Sequence, residues 1–243
     1  MSDPQVLRRE AMLAAMLRRL EGCGTIAVGA SSPLPGTAAL LARAKWGARI
    51  LMLGSRRHNS FTDGGRELFD CAAQGRIDAF FLSGGQIDGA ANINLIGIGA
   101  YPSGLKQRFP GSFGSAHLYF VVPRVILFRE EHEPRTTPQR VDVISAPGTS
   151  QPNVFRPGGP TALITGRCVF GFDRQRGRFT IESAHAGETA ASVRAATGFD
   201  YDAPSEIAET VGLSPEDRAL IRERVAGELA ETYPRFAAGL LAA

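Results

Sequence analysis

Two short apolar runs on either side of a single helical stretch, between residues 25 and 53, limit the fold of this chain more than any other feature. Residues 25–29 (TIAVG) read as a short buried strand. Ser31-Ser32-Pro33 turns the chain into a helix over about 34–46, and residues 49–53 (RILML) give the next strand. Strand, helix, strand in that order predicts a parallel pair joined by a crossover, with helices on the faces of the sheet. Upstream, Ser2-Asp3-Pro4 is a helix-start signal, a cap residue followed by proline at the first helical position. Leu7, Ala11, Ala14, Leu17 and Leu20 then recur at helical spacing with Arg8, Arg9, Arg18 and Arg19 toward water, and Gly22 and Gly24 end the helix.

Downstream, residues 66–74 read as a short helix and 77–82 as a strand. Residues 92–98, 118–122, 125–128 and 140–145 follow as strands, with Pro123 separating the middle two. Residues 149–160, rich in Pro, Gly, Gln and Asn, read as an ordered loop. Strands at 161–165, 168–172 and 178–183, the last two joined by a turn over 173–177, form an antiparallel meander. A helix over 189–196 is closed by Gly198, and Ser214-Pro215-Glu216-Asp217 caps a final helix with Leu220, Val225, Leu229 and Phe236 on its apolar side. The expected class is α/β: an open, mostly parallel sheet flanked by helices, with the meander added. With no internal repeat, residues 1–243 count as one domain, 214–243 being its C-terminal helix.

Charge is balanced at +3 and no basic cluster tracks a phosphate backbone, which argues against nucleic acid as a partner. Cys23, Cys71 and Cys168 form no CxxC pair and no zinc spacing, so they read as buried free thiols, with nucleophilic catalysis the alternative, and no metal is expected. No charged-then-apolar leader and no apolar run long enough for a bilayer are seen, so the reading is a soluble, cytoplasmic protein without a membrane partner.

The polar stretch GSRRHNSFTDGG, residues 54–65, stands at the carboxyl end of a strand, where α/β folds place ligands. It carries His58 beside Arg56, Arg57, Asn59 and Asp63; a functional loop and a solvated one both fit. From Phe80 to Pro147, apolar runs are interrupted by glycine pairs. Glycine lacks a Cβ and lets backbone N–H groups approach a ligand or an oxyanion, though tight turns use it too. Glu130, Glu131, His132 and Glu133 fit acid–base machinery, metal ligation or solvated charge after a strand.

Several spaced motifs in one order carry a family resemblance. They are Ser83-Gly84-Gly85-Gln86-Ile87-Asp88, Asn92-Ile93-Asn94 with Ile98-Gly99, Arg108-Phe109 with Gly111-Ser112-Phe113-Gly114-Ser115, His132-Glu133, and Val141-Asp142 through Ser145-Ala146-Pro147-Gly148. With these the chain resembles the β subunit of family I CoA-transferases, of the glutaconate CoA-transferase kind. The resemblance implies a homologous α subunit as partner, in an α2β2 assembly, with an acyl-CoA as substrate and no cofactor beyond its coenzyme A. In the transferases a β-subunit glutamate attacks the thioester, splitting one hard step into two. Here its position falls at Leu53, within Met52-Leu53-Gly54-Ser55, and a leucine cannot attack.

The chain is also similar to relatives lacking that glutamate: the steroid-ring-opening hydrolases of CoA esters, whose key glutamate is supplied by the α subunit, and the methylglutaconyl-CoA type of decarboxylase. The function implied is hydrolytic carbon–carbon cleavage of a cyclic β-oxo acyl-CoA. CoA transfer, decarboxylation and a non-catalytic scaffold role are the alternatives. Arg56 and His58 are the candidate catalytic residues, for substrate carboxylate binding or proton transfer, with the main base in the partner. Gly84, Gly85, Gln86, Asn92, Arg108, Gly111, Ser112, Gly114 and Ser115 are the candidate substrate- or CoA-binding residues. His117, His132 and His185 are read as structural.

Overall fold

In the computed structural model, which describes residues 4–241, the first element is helix α1 (Pro4–Arg19). The helix-start signal at Ser2-Asp3 lies outside the described residues. The strand–helix–strand unit follows as β1 (Thr25–Val28), α2 (Pro33–Trp46) and β2 (Arg49–Met52), then α3 (Gly65–Ala73) and β3 (Ala79–Leu82). β1 pairs parallel with β2 from Thr25↔Arg49 to Val28↔Met52, and parallel with β3 on its other side. The buried stripe of α1 is Met12 to Leu17 with Leu20, whereas Leu7, expected inside, is half exposed.

The remaining elements in chain order are β4 (Gln86–Ile87), β5 (Ile93–Asn94), β6 (Gly97–Ala100), β7 (Gly104–Arg108), α4 (Ser115–Val121), β8 (Arg124–Arg129), β9 (Pro160–Thr165), β10 (Cys168–Asp173), β11 (Arg178–Ala184), α5 (Ala190–Ala196) and β12 (Ala208–Glu209), then helices α6 (Pro215–Leu220), α7 (Ala226–Leu229) and α8 (Pro234–Leu241). They fall into two compact units, Met1–Phe81 with Val211–Ala243, and Leu82–Thr210.

In the first unit α2 is buried all round from Leu34 to Ala42. Gly36 is its closest approach: a Cβ there would stand 3.1 Å from the sulfur of Met52 on β2 and 3.4 Å from Leu229 on α7. The predicted final helix is broken. A π-helical turn (Ile221–Val225) joins α6 to α7, and Pro234 starts α8 separately. α7 ends at Leu229, and Tyr233, which precedes a proline and is disfavoured from helix, stays outside both helices. No helix of the described residues is long and apolar enough to cross a membrane.

In the second unit β8 and β9 are parallel, β9, β10 and β11 form the predicted antiparallel meander, and β12 adds parallel to β11. Its core includes Phe170, with Tyr201 edge-on at 4.9 Å and Phe199 at 5.7 Å between ring centroids. The parallel strands, flanking helices and added meander agree with the class read from the sequence.

Three strand expectations change here. Residues 118–122 lie in and just after helix α4, not in a strand. Ser115, Leu118, Tyr119 and Val122 are the buried positions, a three–one–three spacing that is helical and overrides the β propensity of the aromatic and branched residues. Residues 92–98 divide into β5 and the start of β6. Residues 140–145 belong to no named strand; Ala146 makes only an isolated bridge to Ile93. Side chains hold that segment instead, the N–H groups of Val141 and Asp142 donating to Asp88 and Gln86.

Candidate functional site

The loop after β2 begins at the position where the family resemblance places a glutamate. Leu53 donates its N–H to Val28 O at 2.9 Å, and Gly54 adopts φ +89°, a conformation that favours glycine. Neither carries a nucleophile. Ser55 is buried, and its Oγ accepts from the N–H groups of Arg57 (3.2 Å) and His58 (3.0 Å) while its own O–H donates to Glu231 Oε2 at 2.7 Å. The other oxygen of Glu231 takes the Arg56 N–H at 2.8 Å. These contacts, with a hydroxyl from Thr232, hold the Glu231 carboxyl down to about 2, the Arg56 N–H being the largest cause. A carboxylate so weakly basic does not activate the Ser55 hydroxyl.

His58 is buried beneath this loop, its Nε2 3.0 Å from Glu228 Oε2, a close approach without hydrogen-bond alignment. Burial pushes the imidazole below its ordinary value, and Glu228 opposes this in part. Glu228 also pairs with Arg43 at 2.6 Å. The side chains of Arg56 and Arg57 are exposed, and no carboxylate among the described residues pairs with either. At the far end of the loop Glu67 accepts the N–H groups of Thr62 and Asp63, the latter at 2.9 Å. Arg56 and His58 thus share one braced loop, with opposite exposures.

The glycine loops lie in the second unit. Gly84 O accepts from Arg129 Nη1, and Gly85 N–H donates to Asn94 O at 2.9 Å. The peptide between the two glycines therefore has both polar groups engaged, and Gly85 N–H is not directed at a ligand. A Cβ at Gly84 would fall 2.5 Å from Ile93 Cγ2, and one at Gly85 would fall 2.1 Å from the Phe109 ring. Phe109 opens the second loop, so the structure brings the two glycine motifs together through that ring.

Gln86 is buried, its Oε1 accepting from Asn94 Nδ2 (2.8 Å) and Asp142 N–H (2.9 Å). Asn92 donates to Asp88 through its N–H (3.0 Å) and its Nδ2 (3.1 Å), and its Oδ1 accepts from Gly148 N–H at 3.1 Å. Both amides serve the loop framework. Arg108 ends β7 with its side chain exposed. Gly111 has φ +106° and open space where a side chain would go. Phe113 takes φ +45° with its ring 79% exposed, an uncommon backbone state for an aromatic residue. The Ser112 carbonyl accepts from Ser115 N–H, and Gly114 precedes α4. Ser115 Oγ is buried and has no partner among the described residues.

The charged stretch after β8 diverges. Glu131 and Glu133 pair with Arg129 and Arg135 toward the surface, whereas His132 turns inward between Thr165 Oγ1 (2.8 Å) and Thr197 Oγ1 (2.9 Å). Burial pushes His132 down to about 4. His185 is likewise buried, between Thr210 Oγ1 and the Thr165 carbonyl. Burial raises the Cys168 thiol to about 12, which leaves it a packing group. No cluster of three or more His, Cys, Asp or Glu among the described residues is arranged for a metal ion.

Sequence reasoning missed Arg129, Asp88, Glu228 and Glu231. Arg129 ends a continuously apolar strand beside two glutamates, a faint local signal. The two C-terminal carboxylates carried none.

Known structures share this architecture. The chain aligns with glutaconate coenzyme A-transferase from Acidaminococcus fermentans at a TM-score of 0.76, with 22% identity over 89% of this chain and 93% of that one. IpdAB from Rhodococcus jostii gives 0.78, 23%, 89% and 93%, and the decarboxylase AibA/AibB gives 0.75, 20%, 97% and 99%. The chain has the CoA-transferase fold. In sequence it is 32% identical over 143 residues to the B-type subunit of 3-oxoadipate CoA-transferase from Pseudomonas knackmussii, covering 56% of this chain. It spans about half the length of that curated relative (54%). No family model matches. The family resemblance carried by the motifs and the CoA-transferase fold therefore agree.

Proposed function

We propose that this chain is the β-type subunit of a heteromeric enzyme that cleaves a carbon–carbon bond of a cyclic β-oxo acyl-CoA by hydrolysis. A homologous α-type subunit, in an α2β2 assembly, supplies the base that activates water. The observation that carries the reading is the end of β2: Met52-Leu53-Gly54-Ser55 offers neither carboxylate nor thiol, and its one hydroxyl is committed to Glu231.

In the proposed reaction, water deprotonated by the partner's base adds to the ring ketone β to the thioester. The bond between the ketone carbon and the α carbon breaks, and its electron pair passes to the thioester as an enolate. A proton delivered to the α carbon completes the addition of one water, with CoA still attached. Arg56 binds a substrate carboxylate, since a guanidinium fork matches that geometry. In the second unit the loop from Arg108 to Ser115 is the proposed acyl-CoA contact, and its buried Ser115 hydroxyl has no partner among the described residues. His58, buried and lowered by that burial, shapes the loop and takes no part in proton transfer in this scheme.

CoA transfer is the second reading, favoured by the 32% identity to the 3-oxoadipate CoA-transferase. The two part on covalent chemistry. Intact-mass measurement of this chain, after incubation of the assembled enzyme with an acyl-CoA, gives an unmodified mass under hydrolysis. An adduct of CoA on this chain would establish transfer.

A further inference from the structure

We propose that Glu231 is a positioning residue, holding the loop after β2 in the shape that presents Arg56 as the anion-binding group for a carboxylated acyl-CoA. The inference rests on the reading of this loop as part of an acyl-CoA site, and goes beyond it by naming what sets the loop's shape.

Four consecutive backbone N–H groups are accepted within the unit. Ser55 N–H goes to Met52 O (3.1 Å), Arg56 N–H to Glu231 (2.8 Å), and those of Arg57 and His58 to Ser55 Oγ. His58 O in turn accepts from Met52 N–H at 2.8 Å, closing the turn onto the strand. Every one of these bonds is local except those to Glu231. Among the described residues, its carboxylate is the single group from outside that fixes both the hydroxyl at the centre of the turn and the peptide on which Arg56 stands. With the N–H groups of Ser55 to His58 consumed, the charged groups this turn offers an anion are the guanidinium groups of Arg56 and Arg57, which no described carboxylate pairs.

The geometry of the C-terminal segment fits this role. Glu228 lies in α7 and Glu231 in the turn just after it, and they approach His58 and the Ser55–Arg56 turn respectively. The π-helical turn Ile221–Val225 precedes them. A π turn takes up one extra residue, which rotates the residues after it by about 100° relative to an unbroken α-helix. With Val225, Ala226 and Leu229 facing the core, the two carboxylates face the loop.

The test uses the chain assembled with its α-type partner and two probes, glutaryl-CoA with a free terminal carboxylate and butyryl-CoA with none. Dissociation constants come from calorimetry. Arg56→Ala weakens glutaryl-CoA by about 10-fold or more, the scale of a charge-assisted hydrogen bond, and leaves butyryl-CoA within about 2-fold. Glu231→Ala does the same, Glu231→Gln, which keeps one acceptor oxygen, falls between, and the double variant is no weaker than Arg56→Ala alone. Tryptic cleavage after Arg56 and Arg57 also accelerates in Glu231→Ala, a readout independent of ligand.

Equal loss for both esters, additive losses in the double variant, or unchanged binding and cleavage in Glu231→Ala each overturn the positioning role while leaving the acyl-CoA reading intact. Unchanged glutaryl-CoA binding in Arg56→Ala removes the acyl-CoA reading of this loop, and the positioning role falls with it.

Discussion

The ring of Phe109 occupies the space that a side chain at position 85 would need: a Cβ built on Gly85 falls 2.1 Å from it. Glycine at this position therefore answers first to packing between two loops, whatever ligand those loops serve. Gly85→Ala forces the ring aside at a cost of about 1–3 kcal/mol, the usual range for overpacking. Phe109→Ala in the same chain recovers part of it. Urea denaturation measures both; a Gly85→Ala variant as stable as the parent contradicts the packing argument.

Arg129 holds Gly84 O with one nitrogen and Glu131 with another at 2.7 Å. Arg129→Ala should cost about 1.5–3 kcal/mol, as expected for hydrogen bonds to a charged group. Arg129→Lys should not restore it, because a single ammonium lacks the planar fork that reaches both partners. Hydrogen exchange at residues 84–86 should rise in both variants.

Asp88 is buried and accepts from Ala90 N–H (3.1 Å), Asn92 N–H (3.0 Å), Asn92 Nδ2 (3.1 Å) and Val141 N–H (3.2 Å). Asp88→Ala strands four donors, each costing about 1–3 kcal/mol if left buried and unmet. The expected loss is the largest of any single substitution named here, read as a collapse of the urea midpoint.

His132 gives the fold an acid sensitivity. Its folded-state value of about 4 lies below the ordinary 6.5, so the folded chain binds this proton less readily than the unfolded one. Stability from the neutral ring is full above pH 6.5 and is lost as pH falls toward 4. At about 1.4 kcal/mol per pKa unit the loss approaches about 3 kcal/mol. The difference in unfolding free energy between the parent and His132→Gln, followed from pH 7.5 to 4.5, should shrink as pH falls. A constant difference contradicts the assignment.

Much of the fold was legible because local signals agreed with one another. The β1–α2–β2 unit had short apolar runs around a helix. The β10–β11 hairpin had its turn over 173–177. Helix α5 had Thr189 in place for the capping box it makes with Ser192. Where local and tertiary preferences conflicted, propensity misled. Residues 118–122 look like a strand by residue type but bury a helical stripe, and 140–145 joins no strand and is held by the side chains of Gln86 and Asp88.

The site was legible only in part, for a physical reason. Topology alone singles out the end of β2 as a candidate position, and its lack of a nucleophile can be read from four letters. The carboxylate that shapes that loop comes from more than 170 residues away, as Ser55 to Glu231 and Arg56 to Glu231 illustrate. No periodicity or spacing reports such a contact. The engagement of Gly85 N–H by Asn94 is hidden for the same reason, since composition shows that a glycine is present but not what its peptide faces.

The most direct test of hydrolytic cleavage is turnover in isotopically labelled water. The chain, assembled with its α-type partner, is incubated with cyclic β-oxo acyl-CoA esters, and the products are followed by mass spectrometry. Ring opening by water predicts a product heavier by one labelled water with CoA still attached. Transfer of CoA to added acetate or succinate, or loss of carbon dioxide without water uptake, contradicts it.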